Sequence, residues 1–427
     1  MNINDLKSGL ESGIYNDKFT ELYTDESMTA FQQNRYLEAV KHFESLYSDT
    51  DIAVFSAPGR TEIGGNHTDH QHGCVLAASI NLDTVGIAAP TDNGLITLVS
   101  GDNPSVSLSI DDLEPRASEY ESTVGLIRGV VAGFVQKGFK IGGFNAYITG
   151  NIPMGAGLSS SASFEVLIGN ILSGLYNDMT VSPVDIAKIG QMAENRYFGK
   201  PCGLLDQMAC SLGNLVNIDF ADPVNPVARI LDCDFSACGY RLCITDTKGS
   251  HANLSDEYAA IPSEMKQVAE YFDCEYLNDT AESDIIASIG LIRDKLDNDR
   301  ALLRSLHYHE ENKRVGLLCK ALENNDMPGF LSLINASGNS SYKYLQNVYS
   351  YKNIKDQSIS LALALSEIIL QNNGACRVHG GGFAGTIQAF VPCDTVSQYK
   401  EAMDSLFGPD SCHELCIRSI GGCSVMH

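Results

Sequence analysis

The residues best suited to chemistry stand in a loop of small and hydroxyl side chains at residues 151–163, NIPMGAGLSSSAS. An apolar run follows at 164–172 and predicts a buried helix that starts at the serines. Such a loop can bind an anion, because the first N–H groups of a helix are unpaired and its dipole favours negative charge. The loop lacks the lysine of the common phosphate loop, and it is not the G-x-G-x-x-G dinucleotide fingerprint. We therefore predict a phosphate-binding loop with contacts from Gly155, Ala156, Gly157, Leu158, Ser159, Ser160, Ser161 and Ala162.

A second group of reactive side chains crowds one short segment nearer the N-terminus. Arg60 is followed by His67, Asp69, His70 and His72. Histidine and aspartate at this spacing can ligate zinc, so a metal site is one interpretation. Polar loop residues that cap and hydrogen-bond their own backbone are the alternative. The residue types by themselves leave both interpretations open.

Two acidic residues follow the predicted phosphate loop. Glu194 lies on a predicted amphipathic helix at 186–197, and Asp206 lies in the segment PCGLLDQM at 201–208. Asp206 could accept a proton or orient a hydroxyl group. Taken alone, a loop aspartate is more commonly just solvated.

A mixed set of helices and strands must hold these segments. Residues 1–50 carry apolar side chains at helical spacing, and a short strand at 52–57 is expected to stop at Pro58-Gly59. A helix is predicted at 124–137, and strands at 75–89, 95–99, 143–149, 216–220, 239–246 and within 377–391. Helices and strands alternate along the whole chain, which indicates an α+β fold.

The chain has 427 residues, enough for two sizeable domains. The clearest boundary signal is the proline-containing segment at 222–226. We therefore predict two domains, at residues 1–225 and 226–427.

Composition argues against several classes of partner. The formal net charge of −24 disfavours nucleic acid and anionic membranes, which need basic patches, but backbone N–H groups can still hold the phosphate of a small ligand. The longest apolar run, near 361–370, is too short to span a bilayer. The polar N-terminus lacks a signal-peptide pattern and the 13 cysteines form no C-x-x-C pairs, which predicts a cytoplasmic protein with free thiols. A monomer is expected.

Three segments resemble, in the same order, the motifs of one enzyme superfamily. Residues 153–162 resemble the central nucleotide-binding motif of the GHMP small-molecule kinases, which include the galactokinases. Residues 57–70 resemble the sugar signature of the galactokinases, and residues 379–386 resemble the third, glycine-rich motif. The resemblance implies an N-terminal domain like domain 2 of ribosomal protein S5 and a ferredoxin-like C-terminal domain. It also implies a kinase that uses ATP and Mg²⁺ to phosphorylate the anomeric hydroxyl of galactose.

The resemblance assigns roles to the residues that handle phosphate. The loop at 155–162 would bind ATP, and Ser161 and Glu194 would hold Mg²⁺. Asp206 would be the catalytic carboxylate that faces the anomeric hydroxyl. Arg60 would keep Asp206 ionised and stabilise charge on the transferring group.

The resemblance also assigns a sugar site, with two departures. The positions that it gives to the sugar are Asn66, His67, Asp69, Gly203 and Tyr258. Galactokinases usually carry Glu at position 66, where it accepts a hydrogen bond from the sugar's 6-hydroxyl, and Tyr at position 70. An amide in place of that carboxylate predicts weaker galactose binding and less strict rejection of a C6 acid. On this hypothesis Asn66→Glu would raise the galactose-to-galacturonate ratio of kcat/KM by roughly tenfold or more.

Other functions remain as alternatives to a galactose kinase. The same scaffold could act on galacturonate, arabinose or N-acetylgalactosamine. A non-catalytic sensor of sugar and ATP is a second alternative, but Ser161-Ala162 and Asp206 are intact, which favours an enzyme. A zinc hydrolase built on the histidine segment is the third alternative.

Overall fold

The computed structural model describes residues 1–101, 103–153, 155–250 and 254–426. The α-helices are α1 (Ile3–Ser12), α2 (Asn16–Tyr23), α3 (Thr29–Leu46), α4 (Thr123–Gln136), α5 (Ser160–Tyr176), α6 (Pro183–Ala193), α7 (Leu205–Leu212), α8 (Ser255–Tyr271), α9 (Glu282–Leu296), α10 (Asp299–Glu323), α11 (Met327–Ser340), α12 (Ser358–Leu370) and α13 (Val396–Phe407). The strands are β1 (Ala53–Gly64), β2 (Cys74–Thr91), β3 (Leu95–Ser100), β4 (Val106–Ser109), β5 (Gly143–Gly150), β6 (Leu215–Asp219), β7 (Val227–Leu231), β8 (Tyr240–Asp246), β9 (Ala375–His379), β10 (Thr386–Pro392), β11 (Cys412–Leu415) and β12 (Cys423–Met426). The predicted α+β class is confirmed.

Within the described residues, eight strands form one large sheet. Its main path has the order β12-β1-β2-β5-β3-β4, and β6 and β7 extend it from β2. Apolar side chains of α4, α5 and α6 cover one face, and those of α1, α2 and α3 cover the other. Both faces are therefore buried, which is why β2 is apolar over most of its length.

In the same described ranges, four strands form a second, antiparallel sheet with the order β11-β8-β10-β9. An apolar cluster from β1, β2, β8, β10, α10 and α11 joins it to the first sheet. Two strands beyond residue 225, β7 and β12, nevertheless pair with β6 and β1 of the first sheet. The chain thus returns to the first sheet at its end, and the domain division at 225/226 stays a prediction. No helix among the described residues is long and apolar enough to cross a membrane.

Strand β1 runs on through Pro58-Gly59, where the sequence predicted that it would stop. The register of its pairing with β2 shifts between Pro58 and Arg60, and this irregularity accommodates a residue that has no N–H donor. A Cβ on Gly59 would lie 2.7 Å from the carbonyl oxygen of Leu158, so the glycine allows the phosphate loop to pack against the strand. The continuation carries Arg60 and Glu62 on one face of β1.

Asp83 on β2 is the centre of a buried charge cluster. Its carboxylate accepts hydrogen bonds from Arg35 Nη2 (2.5 Å), Arg418 Nη1 (3.0 Å), the Tyr23 hydroxyl (2.6 Å) and Ser56 Oγ (2.5 Å). Burial works to raise the pKa of the Asp83 carboxyl, but the two arginine charges and the hydrogen bonds outweigh burial and hold the pKa below its usual value. The cluster ties α2, α3 and the C-terminal segment to the first sheet.

Asp83→Asn should lower the free energy of unfolding by about 3–5 kcal/mol, because it leaves two buried guanidinium groups without their charge partner. The folded-state pKa of Asp83 is lowered, so its stabilisation is present above the unfolded value of about 3.9 and is lost as the pH falls through the folded value. Urea unfolding at about pH 7 and about pH 3 should therefore show a smaller difference from wild type at the lower pH. The exposed Asp111→Asn serves as control and should change stability by less than about 0.5 kcal/mol. An equal deficit at both pH values would contradict the charge pairing.

Candidate active site

The predicted phosphate loop connects β5 to α5, and α5 begins at Ser160. Gly155 and Gly157 have φ angles of 80° and 65°, which few residues other than glycine adopt. Exposure alternates along the loop: Gly155, Gly157 and Ser160 are exposed, whereas Ala156 and Leu158 are buried. Two apolar side chains therefore anchor the loop, and the open backbone between them leads to a helix N-terminus that favours an anion.

Arg60 and Asp206 form a two-point ion pair beside this loop. Arg60 Nε lies 2.7 Å from Asp206 Oδ1, and Arg60 Nη2 lies 2.8 Å from Asp206 Oδ2. The third guanidinium nitrogen donates to the carbonyl oxygen of Gly157, and the Arg60 backbone N–H donates to the carbonyl oxygen of Leu158 at 3.1 Å. Ser159 Oγ donates to Asp206 Oδ2. The structure thus brings the sugar signature, the phosphate loop and the first turn of α7 together.

Asp206 is held as a carboxylate. Burial works to raise its pKa, but the charge and hydrogen bonds of Arg60 and the hydrogen bond from Ser159 outweigh burial and hold the pKa below its usual value. The side chain is 36% exposed, so a ligand hydroxyl can reach it. Such a carboxylate can orient a hydroxyl group and accept its proton late in a reaction.

Ser161 and Glu194 also lie side by side. Ser161 Oγ is 3.5 Å from Glu194 Oε1, and Lys200 Nζ is 3.4 Å from the same oxygen. The helix predicted at 186–197 ends as an α-helix at Ala193, and Glu194 opens a five-residue π-helical turn of the kind often found at functional sites. A hydroxyl and a carboxylate oxygen fit Mg²⁺, which needs few protein ligands.

Two buried residues that hold Glu194 in place, Gln207 and Glu165, were not predicted from the sequence. Gln207 Nε2 donates to Glu194 Oε2 at 2.9 Å and to Glu165 Oε2 at 3.0 Å, so one amide bridges two carboxyl groups. Glu165 is fully buried, and burial together with the charge of Glu194 raises its pKa well above the usual value. Gln207 could have been predicted as a site residue because it directly follows Asp206 in the sequence. Glu165 could not, because it lies inside an apolar run that predicts an ordinary buried helix.

Two of the residues predicted to surround a sugar, His67 and Tyr258, contact the third glycine-rich segment at 380–382. His67 Nε2 lies 3.1 Å from the carbonyl oxygen of Gly381. The Tyr258 hydroxyl donates to the carbonyl oxygen of Gly382 at 2.8 Å. Asp69 packs so closely on Gly203 that a Cβ there would collide with its Oδ2. His67 and Tyr258 thus meet at one glycine-rich segment, and Asp69 with Gly203 forms a second contact between distant parts of the chain.

The histidines of the first segment do not converge on one point. Burial and the nearby His70 lower the pKa of His67 to about 3, so its imidazole is neutral at neutral pH. His70 lies beside Asp69 at 4.0 Å, whereas His72 stacks on Tyr276 with ring centres 3.7 Å apart. Among the described residues, no group of three or more His, Cys, Asp or Glu side chains is arranged to hold a metal ion. The geometry therefore gives the zinc interpretation no support.

Asn66 is enclosed by protein partners. Its Nδ2 donates to Glu62 Oε1 at 3.0 Å and to the carbonyl oxygen of Gly380 at 2.7 Å. Its Oδ1 accepts from Asn347 Nδ2 at 2.8 Å and from Ser341 Oγ at 3.4 Å. The residue is 1% exposed and both donor and both acceptor positions of its amide are filled. Direct contact of Asn66 with a sugar stays a prediction, and Asn66→Glu would now place a second carboxylate against Glu62.

Two family models match the parts of the chain that carry these residues. The "GHMP kinases N terminal domain" matches residues 125–214, which include the phosphate loop, Glu194 and Asp206. The "Galactokinase galactose-binding signature" matches residues 41–90, which include Arg60 and the histidine segment.

Whole-chain comparisons extend this similarity. The chain is 31% identical to the galactokinase of Limosilactobacillus fermentum over 375 residues, 84% of this chain and 92% of that protein. It is 28% identical to the galactokinase of Limosilactobacillus reuteri over 379 residues, 86% of this chain and 92% of that protein. The crystal structure of Lactococcus lactis galactokinase complexed with galactose superposes with a TM-score of 0.76 at 24% identity, covering 90% of this chain and 97% of that one. The superposition confirms the predicted fold.

Proposed function

This chain belongs to the galactokinase family of the GHMP kinases, and on that premise we propose that it transfers the γ-phosphoryl group of ATP to the anomeric hydroxyl of galactose. The observation that carries the proposal is the Arg60–Asp206 ion pair, which joins the sugar signature to the phosphate loop. A sugar hydroxyl on Asp206 would stand next to phosphate bound at the start of α5. Both substrates would therefore meet at the position where the transfer requires them.

The residues of the site have different roles in phosphoryl transfer. The transition state of this reaction is loose, so the protein mainly positions the reactants and stabilises charge. Asp206 orients the anomeric hydroxyl and receives its proton as the oxygen bonds to phosphorus, while Arg60 keeps Asp206 ionised. The exposed backbone of the loop and the N-terminus of α5 hold the phosphates. His67, Asp69, Gly203 and Tyr258 are proposed to enclose the sugar.

We propose that Ser161 Oγ and a carboxylate oxygen of Glu194 hold Mg²⁺ together with the phosphates of ATP. When bound, the ion neutralises charge on the phosphate oxygens. Gln207 holds Oε2 of Glu194 by a hydrogen bond. Lys200 lies beside Oε1, so it must move away when the ion binds or share that oxygen with the ion. All 13 cysteines are free thiols, and we propose that the enzyme acts as a monomer in the cytoplasm, where thiols stay reduced.

An ADP-release assay across free sugars tests the proposed function. We expect galactose to give a higher kcat/KM than arabinose, N-acetylgalactosamine or galacturonate, by roughly tenfold or more, because a site that hydrogen-bonds sugar hydroxyls rejects analogues that lack or alter them. Product analysis by nuclear magnetic resonance should show phosphate on C1. ADP release that does not depend on any sugar, or a clear preference for another sugar of the panel, would contradict the proposal.

A further inference from the structure

Glu62 is a buried carboxylate next to the proposed sugar site that the reaction has not yet used. It stands two residues after Arg60 on β1, so alternation along the strand directs both side chains to the same face. Its carboxyl group is close enough to Arg60 and Asp69 for their charges to act on its pKa, which burial raises overall. Glu62 therefore belongs to the same pocket as two proposed site residues.

The two oxygens of Glu62 differ in their partners. Oε1 accepts hydrogen bonds from Asn66 Nδ2 at 3.0 Å and from Arg377 Nη2 at 2.7 Å. Oε2 accepts no hydrogen bond from any residue in the described part of the chain, while the side chain is only 10% exposed. Oε2 is not one of the fully buried polar atoms that lack a partner, so it keeps contact with solvent, and a ligand hydroxyl group can take the place of water there.

Arg377 fixes the orientation of this carboxylate. The guanidinium group is fully buried, and besides Glu62 it donates from Nη1 to the carbonyl oxygen of Ile63 at 2.8 Å. The amide of Asn66 holds the same Glu62 oxygen from the other side. Because both contacts fall on Oε1, the free Oε2 has a defined direction and needs no reorganisation to receive a hydroxyl group.

We propose that Glu62 determines sugar specificity by accepting a hydrogen bond at Oε2 from the exocyclic C6 hydroxyl, and that Asn66 serves only to position it. The proposal rests on the proposed function. The carboxylate expected at position 66 is thus supplied from position 62, 3.0 Å from the Asn66 amide. A sugar with a carboxylate at C6 would face both Glu62 and Asp69, so this pocket rejects galacturonate strongly, contrary to what Asn66 alone predicted.

The contact between Glu62 and the C6 hydroxyl is tested by comparing kcat/KM of two enzymes on two sugars. Wild-type protein and Glu62→Gln are compared on galactose and on 6-deoxygalactose, which lacks the C6 hydroxyl. We expect wild type to prefer galactose in kcat/KM by roughly tenfold or more, and Glu62→Gln to lose most of that preference, because a charge-assisted hydrogen bond is replaced by a neutral one. Galacturonate should become a relatively better substrate of the variant. The KM for ATP should stay the same.

An exchange variant and a control separate this contact from a structural role. Glu62→Asn with Asn66→Glu keeps one carboxylate and one amide in the pair and should restore the preference for galactose over 6-deoxygalactose. Glu119→Gln breaks a comparable Arg–carboxylate pair with Arg128 away from the site and should leave the preference unchanged. Equal losses on both sugars in Glu62→Gln, or a wild-type enzyme indifferent to the C6 hydroxyl, would overturn the inference. A wild-type enzyme that phosphorylates neither sugar would instead overturn the proposed function.

Discussion

Asp206→Asn is expected to lower kcat by about 10²–10⁴-fold, the range that a positioned proton acceptor contributes. The substitution keeps the shape of the side chain but removes the negative charge that Arg60 pairs with at 2.7 and 2.8 Å. An amide cannot receive the proton of the anomeric hydroxyl, and it leaves the charge of Arg60 unbalanced at the reacting group. Because an asparagine oxygen at position 206 can still accept the hydrogen bond of Ser159, the phosphate loop should keep its position and the affinity for ATP should change by no more than about twofold.

Single-turnover kinetics measure the chemical step of this variant, and calorimetric titration measures its ATP binding. Asp185→Asn is a suitable control, since Asp185 pairs with Lys137 and Ser182 near the protein surface and has no hydrogen bond or ion pair with a site residue in the described part of the chain. That control should keep the wild-type kcat. If Asp206→Asn retained most of its kcat, Asp206 would not be the catalytic carboxylate, and a second acceptor would have to be sought in the same pocket.

Ser161→Ala and Glu194→Gln are each expected to raise the Mg²⁺ concentration required for half-maximal activity and to lower kcat, by about tenfold or more. Glu194→Gln should have the larger effect, because it removes a charge as well as an oxygen ligand. It also disturbs the bridge through which Gln207 holds both Glu194 and the buried Glu165.

Titration of Mg²⁺ at fixed ATP measures this second prediction. Glu38→Gln, on the exposed side of α3, removes a surface carboxylate and should leave the Mg²⁺ dependence unchanged. Unchanged dependence in both site variants would mean that phosphate and water hold the ion by themselves. A change in Ser161→Ala without one in Glu194→Gln would remove Glu194 from the metal site.

Features that depend on neighbouring residues were predictable from the sequence. The phosphate loop followed from small residues before a serine run and an apolar helix, and the structure places α5 at Ser160 with left-handed glycines before it. Sequence patterns also located α4, α6, β2, β3, β5, β6 and β8 to within a few residues, but gave no bounds for the helices from α7 onward. These features are local, because backbone conformation and helix termini are decided by a few consecutive side chains. Two elements differ from their predicted ends: β1 continues past Pro58, where it packs against the phosphate loop, and α6 ends at Ala193.

Features that depend on residues far apart in the chain were decided by the tertiary structure. Arg60 meets Asp206 across 146 positions, and Glu62 meets Arg377 across 315. From the sequence, Asn66 was predicted to alter specificity because it differs from the galactokinase pattern. The sequence could not show that four protein hydrogen bonds occupy the Asn66 amide, or that Glu62 is the acceptor beside it. The direction of a side chain and the charge state of a buried carboxyl depend on which groups packing brings against them, and spacing along the chain does not contain that information.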